Sequence, residues 1–215
     1  MLRLILPALA ALIAIGLTAP ARAQHRAGVF DYYVLALSWS PNWCAQSPDR
    51  RDSSQCDIGR KTAFNLHGLW PQYERGWPSH CRTAERDPSR RESQAMADIM
   101  GSGGLAWYQW QKHGRCTGLS AAGYYALSRA ALARVTLPDY FTGLDRDITI
   151  PPALIEQAFI ERNPGLSADA ITVTCRSEAL QEIRICLTKD LEFRDCAPDT
   201  RRDCARPSVL MEKPR

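Results

Sequence analysis

The sequence predicts an α+β fold, a central antiparallel sheet with helices packed around it and disulfides stapling the whole. Three observations carry this reading. β-rich segments lie towards both ends of the chain, helical patterns gather in its middle, and there are eight cysteines. The first strand is predicted over 31–39, DYYVLALSW, aromatic and apolar throughout and ended by Ser40-Pro41. A second follows a polar loop at 62–69. Residues 92–100 read as a helix stopped by Gly101 and the Gly103-Gly104 pair, 105–113 as a short helix ended by Gly114, and 120–135, rich in alanine and leucine, as a longer one. Pro151-Pro152 opens another helix, with an apolar face of Leu154, Ile155, Ala158 and Phe159, before Asn163-Pro164-Gly165 ends it. Strands are predicted at 171–175 and 182–187, with a further short one at 191–193. No repeat, low-complexity tract or linker divides these elements, so residues 24–215 read as one domain.

Residues 1–23 stand apart. Arg3, an apolar run and then Ala21-Arg22-Ala23 make a secretory signal peptide with cleavage after Ala23. The run is broken by Pro7 and falls short of the roughly 20 apolar residues that a spanning helix needs. The mature protein is therefore expected to be periplasmic or secreted and not embedded in a membrane. Every cysteine lies in the mature part, and an even count in an exported chain implies disulfides. No C-x-x-C pair offers the spacing of a metal site. The clustering favours a local pair, Cys44 with Cys56, and a C-terminal group of four closing on itself, although eight cysteines alone leave on the order of a hundred pairings open. The formal charge of +4 includes Arg3 and Arg22, so global charge decides little. Residues 50–91, however, hold nine Lys and Arg against five Asp and Glu and enclose His67, where local positive potential would draw in a polyanion.

Two segments, NLHGLWPQ (65–72) and WQKHGRC (110–116), each set a histidine before a glycine and close to a tryptophan. At about 100° per residue, Tyr108, Lys112, Gln109 and His113 share one arc of their helix, whereas Trp107 and Trp110 point elsewhere and are expected as core anchors. His113 sits in the last helical turn, where the helix dipole favours imidazolium, so it is expected to exchange a proton near neutral pH. Two histidines and a lysine form the set that phosphodiester chemistry needs: a base for the attacking hydroxyl, an acid for the leaving oxygen and a fixed cation. A substrate that brings its own hydroxyl needs no metal, and RNA has one at the ribose 2′ position where DNA does not. A zinc site of His67, His80 and His113 lacks an H-E-x-x-H spacing and a nearby carboxylate. His80 is expected at the surface and His25 in a loose terminal segment.

These segments resemble the two active-site segments of the ribonuclease T2 family, and LSWSPNWC (37–44), WPSHC (77–81) and the cysteines from Cys175 to Cys204 extend the resemblance over nearly the whole mature chain. The resemblance implies a metal-independent endoribonuclease of broad base preference. It would cut single-stranded RNA to 2′,3′-cyclic phosphates and then hydrolyse them to 3′-phosphates, without cofactor and without acting on DNA. A monomer is the expected state. The resemblance also implies His113 as the first-step base, His67 as the acid, Lys112 as the cation for the pentacovalent phosphate and Trp70 as a stacking partner for a base. The bridges it implies are Cys44–Cys56, Cys81–Cys116, Cys175–Cys204 and Cys186–Cys196. Three positions depart from the family pattern. Tyr108 replaces a histidine assigned to substrate binding and can still stack or donate a hydrogen bond. Gln109 replaces a glutamate, keeping its shape but not its charge, which should lower the pKa of His113. Gln72 stands where some relatives carry an acid that helps choose the base. The alternative reading is a weakly active or inactive RNA-binding member, marked by Gln109. Retention of His67, Lys112 and His113 argues against it, since a pure binder needs none of them in acid–base form.

Overall fold

In the computed structural model, which describes residues 25–47 and 53–215, the alternation of strand β1 (Tyr32–Trp39) is resolved into two faces. Tyr33, Leu35, Leu37 and Trp39 enter the main hydrophobic core, while Tyr32 and Val34 enter a smaller cluster with Cys186, Cys196 and Ala197. Strand β1 pairs antiparallel with β2 (Phe64–Gln72) on one side and with β5 (Ala179–Leu187) on the other. Beyond β5 lie β4 (Ile171–Arg176) and, at its start, β6 (Val209–Met211), which pairs with β3 (Ile148–Ile150). All pairings between these strands are antiparallel except the contact of Ala179 with Leu210. The signal peptide read at 1–23 lies outside the described residues.

The helices cover the main-core face and the outer edge at β2. These are α1 (Ser40–Gln46), α2 (Arg90–Gln94), α3 (Ala97–Met100), α4 (Gly103–Lys112), α5 (Ala121–Ala133), α6 (Asp139–Thr142) and α7 (Pro152–Arg162). Helix α5 is tied to the sheet where the buried Tyr124 hydroxyl donates to the Leu69 carbonyl at 3.0 Å. Helix α1 holds the C-terminal strand in place: Asn42 Nδ2 donates to the carbonyls of Leu180 and Leu210 at 2.9 and 2.8 Å.

Several elements differ from the sequence expectation. Ser40-Pro41 ends the strand but also opens α1, with proline in the first helical turn where its missing N–H costs nothing. The helix expected over 92–100 is two short helices separated by Ala95 and Met96, with Met96 and Met100 both buried in the core. Residues 191–193 contribute a single bridge, Leu187 to Phe193, and no strand. Trp110 is fully buried as expected, but Trp107 is 47% exposed and anchors nothing. Helix α4 buries Gly103, Ala106, Gln109 and Trp110, and Trp107 falls on the flank of that face.

Four disulfides close the structure: Cys44–Cys56, Cys81–Cys116, Cys175–Cys204 and Cys186–Cys196. The second joins the segment after β2 to the turn after α4, closing a loop between residues 35 apart in sequence. A Cys81→Ser/Cys116→Ser double variant is expected to lose about 3 kcal/mol of stability. Urea denaturation of the oxidised protein and the variant would measure it, with an unchanged urea midpoint contradicting the prediction.

Candidate active site

The register of β1 with β2 shifts once. Ala36 pairs with Gly68 and Leu37 with Leu66, so His67 is the extra residue of a β-bulge. Bulges bend a strand and re-aim a side chain. Here Leu66 and Leu69, three apart, both enter the main core, and His67 and Trp70, also three apart, both turn to the other side and line a cleft of about 400 Å³. The same cleft takes Gln72 from the end of β2, Tyr108, Gln109 and Lys112 from α4, His113 just beyond it, and Glu182 and Arg184 from β5.

Helix α4 meets β2 through a glycine. A Cβ at Gly68 would lie 2.5 Å from Trp70 Nε1 and would collide with the Gln109 amide, so glycine leaves the space in which these two side chains meet. Gln109 is almost fully buried, and its Oε1 accepts the Trp70 indole N–H at 2.8 Å. The indole stacks on the His113 ring, with centroids 5.3 Å apart and planes 25° apart, and meets His67 edge-on at 5.2 Å. Arg184 lies over Trp70 at 5.3 Å. In this structure Trp70 is thus a wall between two imidazoles. Gly114 fixes the far side of His113, since a Cβ there would lie 2.5 Å from the Trp110 ring and 2.8 Å from that of Tyr124.

The two histidines have opposite surroundings. His67 is about one-third exposed and pairs through Nδ1 with the Glu182 carboxylate, which is 3% exposed. Arg184 donates to the other Glu182 oxygen through Nε and Nη2, at 3.0 and 2.8 Å. Burial pushes the Glu182 carboxyl up, but His67 and Arg184 outweigh it and hold the group below the usual glutamate range. His113, by contrast, is 5% exposed, and its Nδ1 is buried without a hydrogen-bond partner among the described residues. Burial, and then the charges of Lys112, His67 and His80, push its pKa down to about 3. The helix-end effect expected to favour imidazolium is therefore overridden by desolvation.

Sequence reasoning misses Glu182, Arg184, Asp199 and Trp77. The strand alternation that turns Ile183 and Ile185 to the main core turns Glu182 and Arg184 to the cleft, and that alternation is a signal the sequence carries. Trp77 and Tyr108, 56% and 47% exposed, form an aromatic rim, and Lys112 Nζ lies 5.9 Å from the Tyr108 ring centre. His80 is exposed, and its backbone N–H donates to the Lys112 carbonyl at 2.9 Å, which docks the 77–81 segment on the end of α4. His25 is placed against Tyr73, with Nδ1 3.2 Å from its hydroxyl, rather than standing free. Among the described residues, no three His, Cys, Asp or Glu side chains are gathered as a metal site, and no helix is long and apolar enough to cross a membrane.

Known proteins resemble this chain in both sequence and fold. The Ribonuclease T2 family model matches residues 30–196. A ribonuclease of Aeromonas hydrophila is 34% identical over 197 residues, covering 88% of this chain and 89% of that protein. A ribonuclease T2 protein of Caenorhabditis elegans is 24% identical over 210 residues, covering 84% and 72%. Among solved structures, an RNase-related protein from Calystegia sepium aligns with a TM-score of 0.66 at 20% identity, covering 86% of this chain and 98% of that one. Trichomaglin, described as an S-like ribonuclease, aligns with a TM-score of 0.68 at 20% identity over 87% and 100%. At that identity the two structures speak for the fold alone.

The Glu182 pair makes a testable contribution to stability. Because the folded-state pKa is depressed, the contribution is present above the unfolded value of about 4.3 and is lost as pH falls through the folded value. Glu182→Gln is expected to cost about 1–3 kcal/mol at pH 7, since it leaves Arg184 without its anion. The gap between the two proteins should shrink below about pH 4. Urea denaturation at about pH 7 and about pH 3.5 reads both numbers, and a pH-independent gap would contradict the charge pairing.

Proposed function

Because the chain belongs to the ribonuclease T2 family, we propose that it is a metal-independent endoribonuclease that cuts single-stranded RNA by transphosphorylation. The observation that carries the assignment of roles is the contrast between the two histidines. Two titratable groups set in different environments can divide the acid and base roles of a site between them. His113, dry and held neutral, takes the proton from the ribose 2′-hydroxyl. The 2′-oxygen then forms a bond to phosphorus as the bond to the 5′-oxygen breaks, and His67 gives that oxygen its proton. Glu182 accepts from His67 Nδ1, which fixes the ring and gives its protonated form a counterion. Lys112 is the cation for the charge that builds on the phosphate; Arg184 is already committed to Glu182. In the second step the roles reverse: His67 draws a proton from water, which opens the 2′,3′-cyclic phosphate, and His113 returns a proton to the 2′-oxygen.

An endonuclease must admit a strand that runs past the reacting bond. A second cleft of about 520 Å³, lined by Asn42, Gln55, Asn65, Gln181 and Arg176, meets the first at His67 and Glu182. The polar groove on either side of His67 suits a polymer better than a small molecule. The eight cysteines paired as four disulfides suit a protein that works in the periplasm or outside the cell, where such bonds persist.

The first test is cleavage of a single-stranded RNA by the oxidised protein in EDTA, with a single-stranded DNA of the same sequence alongside. Fragments ending in 2′,3′-cyclic phosphate from RNA alone are expected, and His113→Ala should reduce the rate by at least about 100-fold. RNA bound but left intact would favour the alternative, a binder that no longer cuts. A second test concerns Gln109. The carboxylate introduced by Gln109→Glu, one helical turn before His113, would favour imidazolium, so the substitution is expected to move the acid limb of the kcat/KM profile to higher pH. The neutral, base-competent form of His113 would be lost sooner on acidification in the variant than in the native enzyme, and superimposable profiles would rule this coupling out.

A further inference from the structure

Asp199 lies in the loop between Cys196 and Cys204 and lines the same cleft as Trp70, Gln72, Trp77 and Thr200. One carboxylate oxygen, Oδ2, accepts the Gly76 backbone N–H at 2.5 Å. The other, Oδ1, is buried and has no hydrogen-bond partner among the described residues. An unpaired buried carboxylate oxygen is costly, and Asp199 belongs to the cleft wall, so a donor brought there by a ligand would relieve it. The position is held firmly. Cys186–Cys196 and Cys175–Cys204 close both ends of the loop, Thr200 Oγ1 is hydrogen-bonded to the Tyr32 hydroxyl at 2.8 Å, and the Thr200 N–H donates to the Ala197 carbonyl at 2.9 Å. On the other side, the Gly76 contact fixes the turn that carries Trp77.

Resting on the ribonuclease reading above, we propose that Asp199 reads the edge of a base bound in this cleft and selects bases that carry an amino group. An amino N–H of adenine, cytosine or guanine can donate to Oδ1. Uracil has no amino group, and the carbonyl oxygens flanking its single N–H would face a carboxylate. Gln72, also in the cleft, is an uncharged amide and makes no such distinction, because it offers both a donor and an acceptor. Asp199 is here a specificity residue: it carries no proton in the reaction, and its loss should change which RNA is cut rather than whether RNA is cut.

The test compares the hexamers A6, C6 and U6 as substrates of the oxidised protein and of Asp199→Asn. Asparagine can keep its oxygen on the Gly76 N–H and turn its NH₂ group into the cleft, replacing an acceptor by a donor. The native enzyme is expected to cut A6 and C6 about tenfold faster than U6, and the variant to lose or reverse that ratio while still cutting U6. A substrate control works without any variant. A hexamer of purine riboside, which lacks only the amino group of adenosine, should be cut about tenfold more slowly than A6 by the native enzyme. Equal rates on those two hexamers, or an unchanged A6-to-U6 ratio in the variant, would overturn the assignment of Asp199 while leaving the nuclease reading intact. Failure of the native protein to cut any hexamer would remove both.

Discussion

One indole ring sets the spacing of the site. Trp70 presents its edge to His67 and its face to His113, so the separation of the two imidazoles is the size of a side chain that cannot be compressed. Its N–H is spent on Gln109, which fixes the ring's rotation as well as its place. Two features of β2 make this arrangement available. The bulge at His67 turns His67 and Trp70 to the same side, which strict alternation would not do for residues three apart. Gly68, without a Cβ, leaves the space in which the Gln109 amide meets the indole. The H-G-L-W order of the strand is thus a geometric device, with each position needed by the next.

The electrostatics follow from that packing. His113 stacks on Trp70 and is shielded from water, and that burial first, then the Lys112 charge, holds it neutral. His67 lies on the sheet side, nearer solvent, with a carboxylate from β5 at its back. In the proposed reaction the histidine that accepts a proton and the one that gives it are separated by one ring, and their different surroundings come from different secondary-structure elements. A carboxylate in place of the Gln109 amide would put a charge on the helix side of this divide. With glutamine there, the carboxylates lining the cleft are Glu182 and Asp199, both from the C-terminal part of the chain.

Much of this is legible in the sequence because it is local. The two histidine segments, the glycine stops and the strands at 171–175 and 182–187 are short-range patterns, and their chemistry can be read from neighbours a few residues apart. What stays hidden depends on pairing across the sheet. Glu182 reads as an ordinary polar position in an amphipathic strand until β5 is set beside β1, with both faces covered. Strands β3 and β6, three residues each, have too few positions to show a period at all. Trp107 defeats the expectation of a core anchor because angle there outweighs residue type. The buried face of α4 is narrow, and a tryptophan on its flank stays in solvent. His113 departs in the opposite sense: the helix end is visible in sequence, but the desolvation that overrides it is not.

The disulfides connect this chemistry to the compartment. Cys81–Cys116 binds the Trp77–His80 segment to the turn just after His113, so one bridge holds the aromatic rim and the His113 side together. Cys186–Cys196 joins the strand that carries Glu182 and Arg184 to the loop that carries Asp199, and Cys175–Cys204 closes the other end of that loop. Two of the four bridges, Cys81–Cys116 and Cys186–Cys196, therefore tie segments that line the cleft to one another, while Cys186 and Cys196 also belong to the smaller hydrophobic cluster and Cys175 and Cys204 pack against the main core. Reduction would remove that covalent hold on the loops bearing Trp77 and Asp199. A cleft fastened in this way keeps its walls in register as long as its disulfides persist.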